Sequence, residues 1–217
     1  MFKAAIIVAA YTGLRAGEIR ALRWRDIDFA GMSLRVARSI PVGGELGPPK
    51  SGHARSVPLI DDAAAELDRL SLRGWGTEAD AFVFCEGPGQ RLGEDRLRKA
   101  LYSAMKAAKI DRKAFPAKQG FTLHDLRHTF GTLAVQVWPL HDVQAFMGHA
   151  DIQTTMIYAH HVPRVDAAQQ FTQFVQQQKD GTSGIRLGDV PSREATPVAA
   201  NALTSGDFER ARQDSNL

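Results

Sequence analysis

The sequence predicts a mainly α-helical domain carrying a small antiparallel β-sheet, an α+β arrangement. Three observations predict it. Apolar residues recur at helical spacing through most of the chain, strand-like segments are confined to residues 27–59 and 81–84, and a single cysteine, Cys85, leaves packing rather than disulfides to hold the core. Of the 217 residues 44% are hydrophobic, enough for one buried core. The longest apolar run, residues 4–10, falls far short of the roughly 20 residues of a membrane span. Met1-Phe2-Lys3 lacks the charged start and cleavage site of a signal peptide, so a cytoplasmic chain with no membrane partner is expected.

In order, residues 3–11 read as a helix, Tyr11-Thr12-Gly13 as a break and 16–23 as a second helix, so that Arg15 sits between two short helices. Residues 27–29, a turn at Ala30-Gly31 and residues 33–40 make a hairpin pattern. A Gly/Pro-rich loop over 41–49 and the turn Lys50-Ser51-Gly52-His53 lead to a third strand over 55–59. Asp61 is placed to cap a helix running to about Leu72; residues 81–84 read as a short strand and 94–109 as a helix. Thr122 and Asp125 match a capping box that opens a helix over 123–137. Pro139 suits the first position of the next helix, ending at Gly148, and Asp151 can cap one over 152–159. A last helix over 164–177 carries Phe171, Phe174 and Val175 on one face. From residue 178 the composition turns to Gly, Ser, Thr, Pro and mixed charge, which predicts a disordered tail after a single domain of residues 1–177.

Charge is nearly balanced: 27 Lys+Arg against 24 Asp+Glu, formally +3. Of the basic residues 19 are Arg, which fits an anionic partner or codon composition alike. His124 and His128 stand at zinc-like i, i+4 spacing, but no His-Glu-x-x-His or thiolate pair accompanies them and Arg127 lies between, so no metal is expected. Gly43-Gly44-Glu45-Leu46-Gly47 has neither the Lys-Ser/Thr ending nor the following helix of a phosphate loop, so no nucleotide cofactor is expected. What remains is a series of basic and nucleophilic groups suited to a phosphodiester: Thr12-Gly13-Leu14-Arg15-Ala16-Gly17-Glu18, Lys50, His124-Asp125-Leu126-Arg127-His128, Gly148-His149 and Tyr158.

In that order these segments resemble the catalytic domain of tyrosine recombinases of the phage-integrase type, over residues 1 to about 177. Arg15 matches the first catalytic arginine in its T-G-L-R-x-x-E setting, and Lys50 the lysine of the β-hairpin turn. His124 and Arg127 match the H-x-L-R-H box. His149 matches the histidine of the Leu-Gly-His box, where this chain has Met147 in place of the usual Leu, and Tyr158 the nucleophile of Ser/Thr-Thr-x-x-Tyr. The resemblance implies a fold and a metal- and ATP-independent activity: site-specific recombination of double-stranded DNA through a 3′-phosphotyrosine.

Charge building on the nonbridging oxygens calls for Arg15, Arg127 and a histidine. Tyr158 needs a base, for which His124 is the expected group, and the departing 5′ oxygen needs an acid, expected to be Lys50. Glu18 is expected to orient Arg15 or to close a helix turn, and His128 to lie behind the site or in the core. His53 and Arg55, beside Lys50, fit either contacts to the DNA backbone or a plain surface hairpin. The family's C-terminal helices commonly dock on a neighbouring subunit, which sets helix 164–177 as a contact within a tetrameric synaptic complex against packing in cis. The family's N-terminal core-binding domain has no counterpart in this sequence, so weak, salt-sensitive DNA binding is expected. A type IB topoisomerase-like relaxing activity and a catalytically silent DNA-binding remnant stay open beside the recombinase.

Overall fold

The computed structural model describes residues 1–115, 120–161 and Thr172. The expected helix over 164–177 (Thr172 aside) and the tail from 178 therefore lie outside the described residues. Helices α1 (Phe2–Thr12) and α2 (Ala16–Ala21) are followed by a three-stranded sheet of β1 (Ile27–Asp28), β2 (Ser33–Val36) and β3 (Arg55–Pro58). Then come α3 (Asp61–Ser71), α4 (Glu94–Ala107), α5 (Leu123–Ala134), α6 (Leu140–Met147) and α7 (Gln153–Met156).

Apolar on most of its surface, α1 is the axis of the helical part. Its small side chains Ala4, Ala5 and Ala9, with Val8, are buried where it packs against α3, α4 and α5. α4 contributes Leu97, Leu101 and Met105 at four-residue spacing, and α5 contributes Leu126, Phe130 and Ala134 in the same way. The sheet is antiparallel in the order β1-β2-β3, with Leu34 opposite Val57 and Val36 opposite Arg55. Leu34, Val36 and Val57 point into the core while Arg35 and Ser56 face out, the two-residue alternation of a sheet covered on one side.

Several boundaries differ from the sequence reading. Residues 81–84 form no strand beyond a single bridge between Phe82 and Arg23, because the segment they pair with turns at once into a 3₁₀ turn over Trp24–Asp26. Asp61 does not cap α3; Ile60 holds that position, and Asp61 and Asp62 lie in the first turn, where their charge meets the positive end of the helix. β2 stops at Val36, and Ile40 instead donates its N–H to the Gly17 carbonyl, tying the sheet to α2. The capping box of α5 forms as read: Thr122 donates both its N–H (2.7 Å) and its Oγ1 hydroxyl (2.6 Å) to Asp125. The helix of 152–159 is shorter, α7 giving way to a 3₁₀ turn over Ala159–His161. Trp24 is buried and donates its indole N–H to the Gly76 carbonyl at 2.9 Å, Trp138 packs edge-on against Phe146, and Trp75 is exposed beneath Arg73. Cys85 is buried.

Candidate active site

The site is built around the C-terminal end of α6. The last carbonyls of an α-helix have no partner within it and carry its negative end. Here three successive ones each accept from a different arginine: Phe146 from Arg55 Nε (2.7 Å), Met147 from Arg127 Nη2 (2.5 Å) and Gly148 from Arg15 Nη2 (3.3 Å). Gly148 adopts the left-handed conformation that stops α6, with φ 64°, and lies flat against Arg55. The chain turns there to deliver His149, whose Nδ1 is 2.9 Å from Thr155 Oγ1.

The arginines share one counterion. Glu18, 1% exposed, receives Arg55 bidentately at 2.8 Å on each oxygen and Arg15 Nη1 at 3.3 Å. It also accepts the Arg15 backbone N–H at 2.8 Å, which closes the start of α2. Burial alone would raise its pKa, yet the hydrogen bonds and charge of Arg55, with the charges of Arg127 and Arg15, hold it below the usual carboxylate range. Arg127, 2% exposed, also donates to the Gly13 carbonyl at the end of α1. Burial and the nearby Arg15 bring its pKa down to about 9, which leaves it cationic at neutral pH. Burial likewise lowers Arg15, against the pull of Glu18. Three arginines over one carboxylate leave an excess positive charge, and Arg15 Nε is buried with no hydrogen-bond partner. A buried donor without an acceptor beside surplus positive charge suits an anion.

The second half of the site lies along α5 and at the end of α7. Tyr158 is 4% exposed, its ring set against α5 at Gly131, where an added Cβ would come within 2.5 Å of the phenol Cζ. Burial pushes its pKa up to about 12, with Arg127 opposing. Tyr158 Oη is 2.8 Å from His128 Nδ1, and the His124 ring meets that of His128 edge-on with centroids 4.8 Å apart.

Burial and neighbouring cations hold His124 down to about 3 and His149 down to about 2, so both imidazoles are neutral at pH 7. Their unfolded counterparts protonate near 6.5. Between that pH and about 3 the unfolded chain binds more protons than the folded one, so stability present above 6.5 is lost on acidification, by at most about 1.4 kcal/mol per pH unit for each histidine and less for their partial exposure. Melting temperature should therefore fall steadily from pH 6.5 to 4.5, and the fall should be shallower in His149→Gln. Equal slopes in the two proteins would contradict the burial of a neutral His149.

The structure thus brings together Arg15, Glu18, Arg127 and His149 on one side, and His124, His128 and Tyr158 on the other. Lys50 and His53 are exposed on the connection leading into β3, and the hydrogen bonds just described run without them. Arg55, expected either on the DNA backbone or on a plain surface hairpin, has a side chain 9% exposed with all three guanidinium nitrogens engaged, so it braces Glu18 and the end of α6. Sequence reasoning missed that partnership, whose one signal was an acid next to Arg15 that a single arginine could not neutralise while facing a phosphate. His128, expected behind the site or in the core, stands within hydrogen-bond distance of the Tyr158 hydroxyl. Among the described residues, no three His, Cys, Asp or Glu side chains converge as a metal site, and no helix is long and apolar enough to cross a membrane.

Residues 2–164 match the phage integrase family. The chain is 34% identical over 154 residues to the tyrosine recombinase XerC of Xanthomonas axonopodis pv. citri, covering 69% of this chain and 43% of that protein. To XerC of Pelobacter propionicus it is 34% identical over 159 residues, covering 72% and 46%. It therefore spans less than half the length of these relatives. Among solved structures, the Tn1549 transposon integrase in complex with circular intermediate DNA superposes with a TM-score of 0.59 at 25% identity, over 79% of this chain and 59% of that one. XerA recombinase does so with 0.55 at 24% identity, over 80% and 61%, a likeness of fold.

Proposed function

Because the chain belongs to the phage integrase family, we propose that it carries the catalytic domain, residues 1–177, of a site-specific recombinase that breaks and rejoins double-stranded DNA through a 3′-phosphotyrosine. The observation that carries this reading is the pair Arg15 and Arg127, each fixed by backbone carbonyls in one positively charged cluster, with Arg15 Nε unpaired. Two guanidinium groups held in place before substrate arrives stabilise charge on the nonbridging oxygens without reorganising during the step. His124 and His149, neutral, add N–H donors rather than charge.

Tyr158 Oη attacks phosphorus and the bond to the 5′ oxygen breaks; Lys50, exposed on its turn, gives the leaving oxygen its proton. The covalent phosphotyrosine conserves the bond energy, and the 5′ hydroxyl of a partner strand reverses the step to complete exchange. That exchange needs four such domains on two duplexes, so assembly into a tetramer on DNA in the cytoplasm belongs to the proposal. XerC relatives are named tyrosine recombinases, and the Tn1549 integrase was solved on circular intermediate DNA, in support of the substrate class.

The test is a covalent trap. Incubated with supercoiled plasmid at low salt in EDTA and quenched with SDS, the chain should become attached to DNA, and Tyr158→Phe should not. No adduct in the wild type counts against the reading, and an adduct in the Phe variant assigns another nucleophile.

A further inference from the structure

Tyr158 needs a proton acceptor, and the sequence pointed to His124; the geometry points elsewhere. Resting on the phosphotyrosine reading, we infer that His128 takes the phenol proton of Tyr158 on Nδ1 as Oη attacks phosphorus. His128 Nδ1 lies 2.8 Å from Oη, with ring centroids 5.9 Å apart and planes inclined by 52°. This is the heavy-atom distance a general base requires from the group whose proton it removes. His124 packs its ring on His128 rather than on the phenol, and an imidazole held down to about 3 is a poor acceptor. His149 Nδ1 is engaged with Thr155.

The phenol cannot supply its own oxyanion. With its pKa near 12, about one Tyr158 in 10⁵ is ionised at pH 7. The step balances as follows: the Oη–H bond breaks, its proton passes to Nδ1 and the Oη–P bond forms. The electron pair of the P–O5′ bond goes to the 5′ oxygen, which is protonated by Lys50. In the return step a 5′ hydroxyl, its proton passing to the now neutral Lys50, displaces Oη, and the imidazolium gives its proton back to Oη. Asp125 acts in the same sense on His124 and Tyr158, raising the pKa of each.

The experiment compares wild type, Tyr158→Phe, His128→Ala and His128→Asn in the plasmid trap, with and without added imidazole. Asparagine can place an acceptor oxygen near the position of Nδ1 but cannot take up a proton. Both His128 variants should form adduct about 10²–10³-fold more slowly, with melting temperatures near that of the wild type, and imidazole should restore part of the rate to His128→Ala alone. Wild-type rates in either variant would overturn the inference, the Asn result showing that accepting a hydrogen bond is enough. Failure of imidazole to restore any rate to a folded His128→Ala would overturn it too. A wild type that forms no Tyr158-dependent adduct overturns the underlying reading instead, which the wild-type and Tyr158→Phe lanes report without reference to His128.

Discussion

Glu18→Gln should lower the unfolding free energy by about 3–5 kcal/mol, the usual cost of removing one partner from a buried ion pair. The carboxylate is 1% exposed and faces Arg15 and Arg55 directly, with Arg127 close enough to lower its pKa. A glutamine keeps the shape and one acceptor, but it leaves like charges facing each other with no anion between them and cannot pair both forks of Arg55. The Arg15 backbone N–H at the start of α2 loses its bond as well if the amide turns its nitrogen that way. Urea titration would read the change as a lower midpoint with the same slope. A loss under about 1 kcal/mol would mean that water reaches the pocket and screens the arginines.

Arg127→Lys should slow adduct formation about 10²–10³-fold while the domain stays folded, the range found when one preorganised oxyanion donor is lost. Arg127 bonds the Gly13 and Met147 carbonyls with two nitrogens at once, which fixes the plane of its fork relative to Arg15. A lysine carries the same charge on a single flexible point, so it can satisfy one carbonyl or face a phosphate but cannot hold both ends of that geometry. DNA binding, set mainly by the number of phosphates neutralised, should change much less than the rate. The check is to follow plasmid retention and SDS-resistant adduct side by side; an unchanged adduct rate would remove Arg127 from the chemistry.

What could be read from the sequence was what lies close together along it. The capping box at Thr122 and Asp125, the left-handed stop at Gly148 and the pairing of Arg15 with Glu18 are contacts within a few residues, and residue type and spacing declare them. The segments that carry the family resemblance were legible for the same reason, each being a short string. Contacts that depend on how elements pack were not. Arg55 reaches Glu18 across 37 positions, and nothing in its hairpin states that a side chain of β3 meets one of α2. His128 and Tyr158 meet because Gly131 lets the phenol lie against α5, a clearance visible only once the two segments are placed. Residues 81–84 failed as a strand because pairing needs a partner of matching length, which the turn at Trp24 denies them.

The three arginines at the end of α6 also decide when conformational freedom is lost. A free arginine side chain gives up about 2 kcal/mol of rotamer entropy when it is pinned. Clamped on the Phe146, Met147 and Gly148 carbonyls, Arg55, Arg127 and Arg15 surrender it as the domain folds, before any DNA is present. On the proposed function, a phosphodiester would meet donors that are already rigid, and their ordering entropy would not oppose binding. The burden falls on the fold, so a substitution elsewhere that lowers stability also lowers the share of chains in which these donors stand ready.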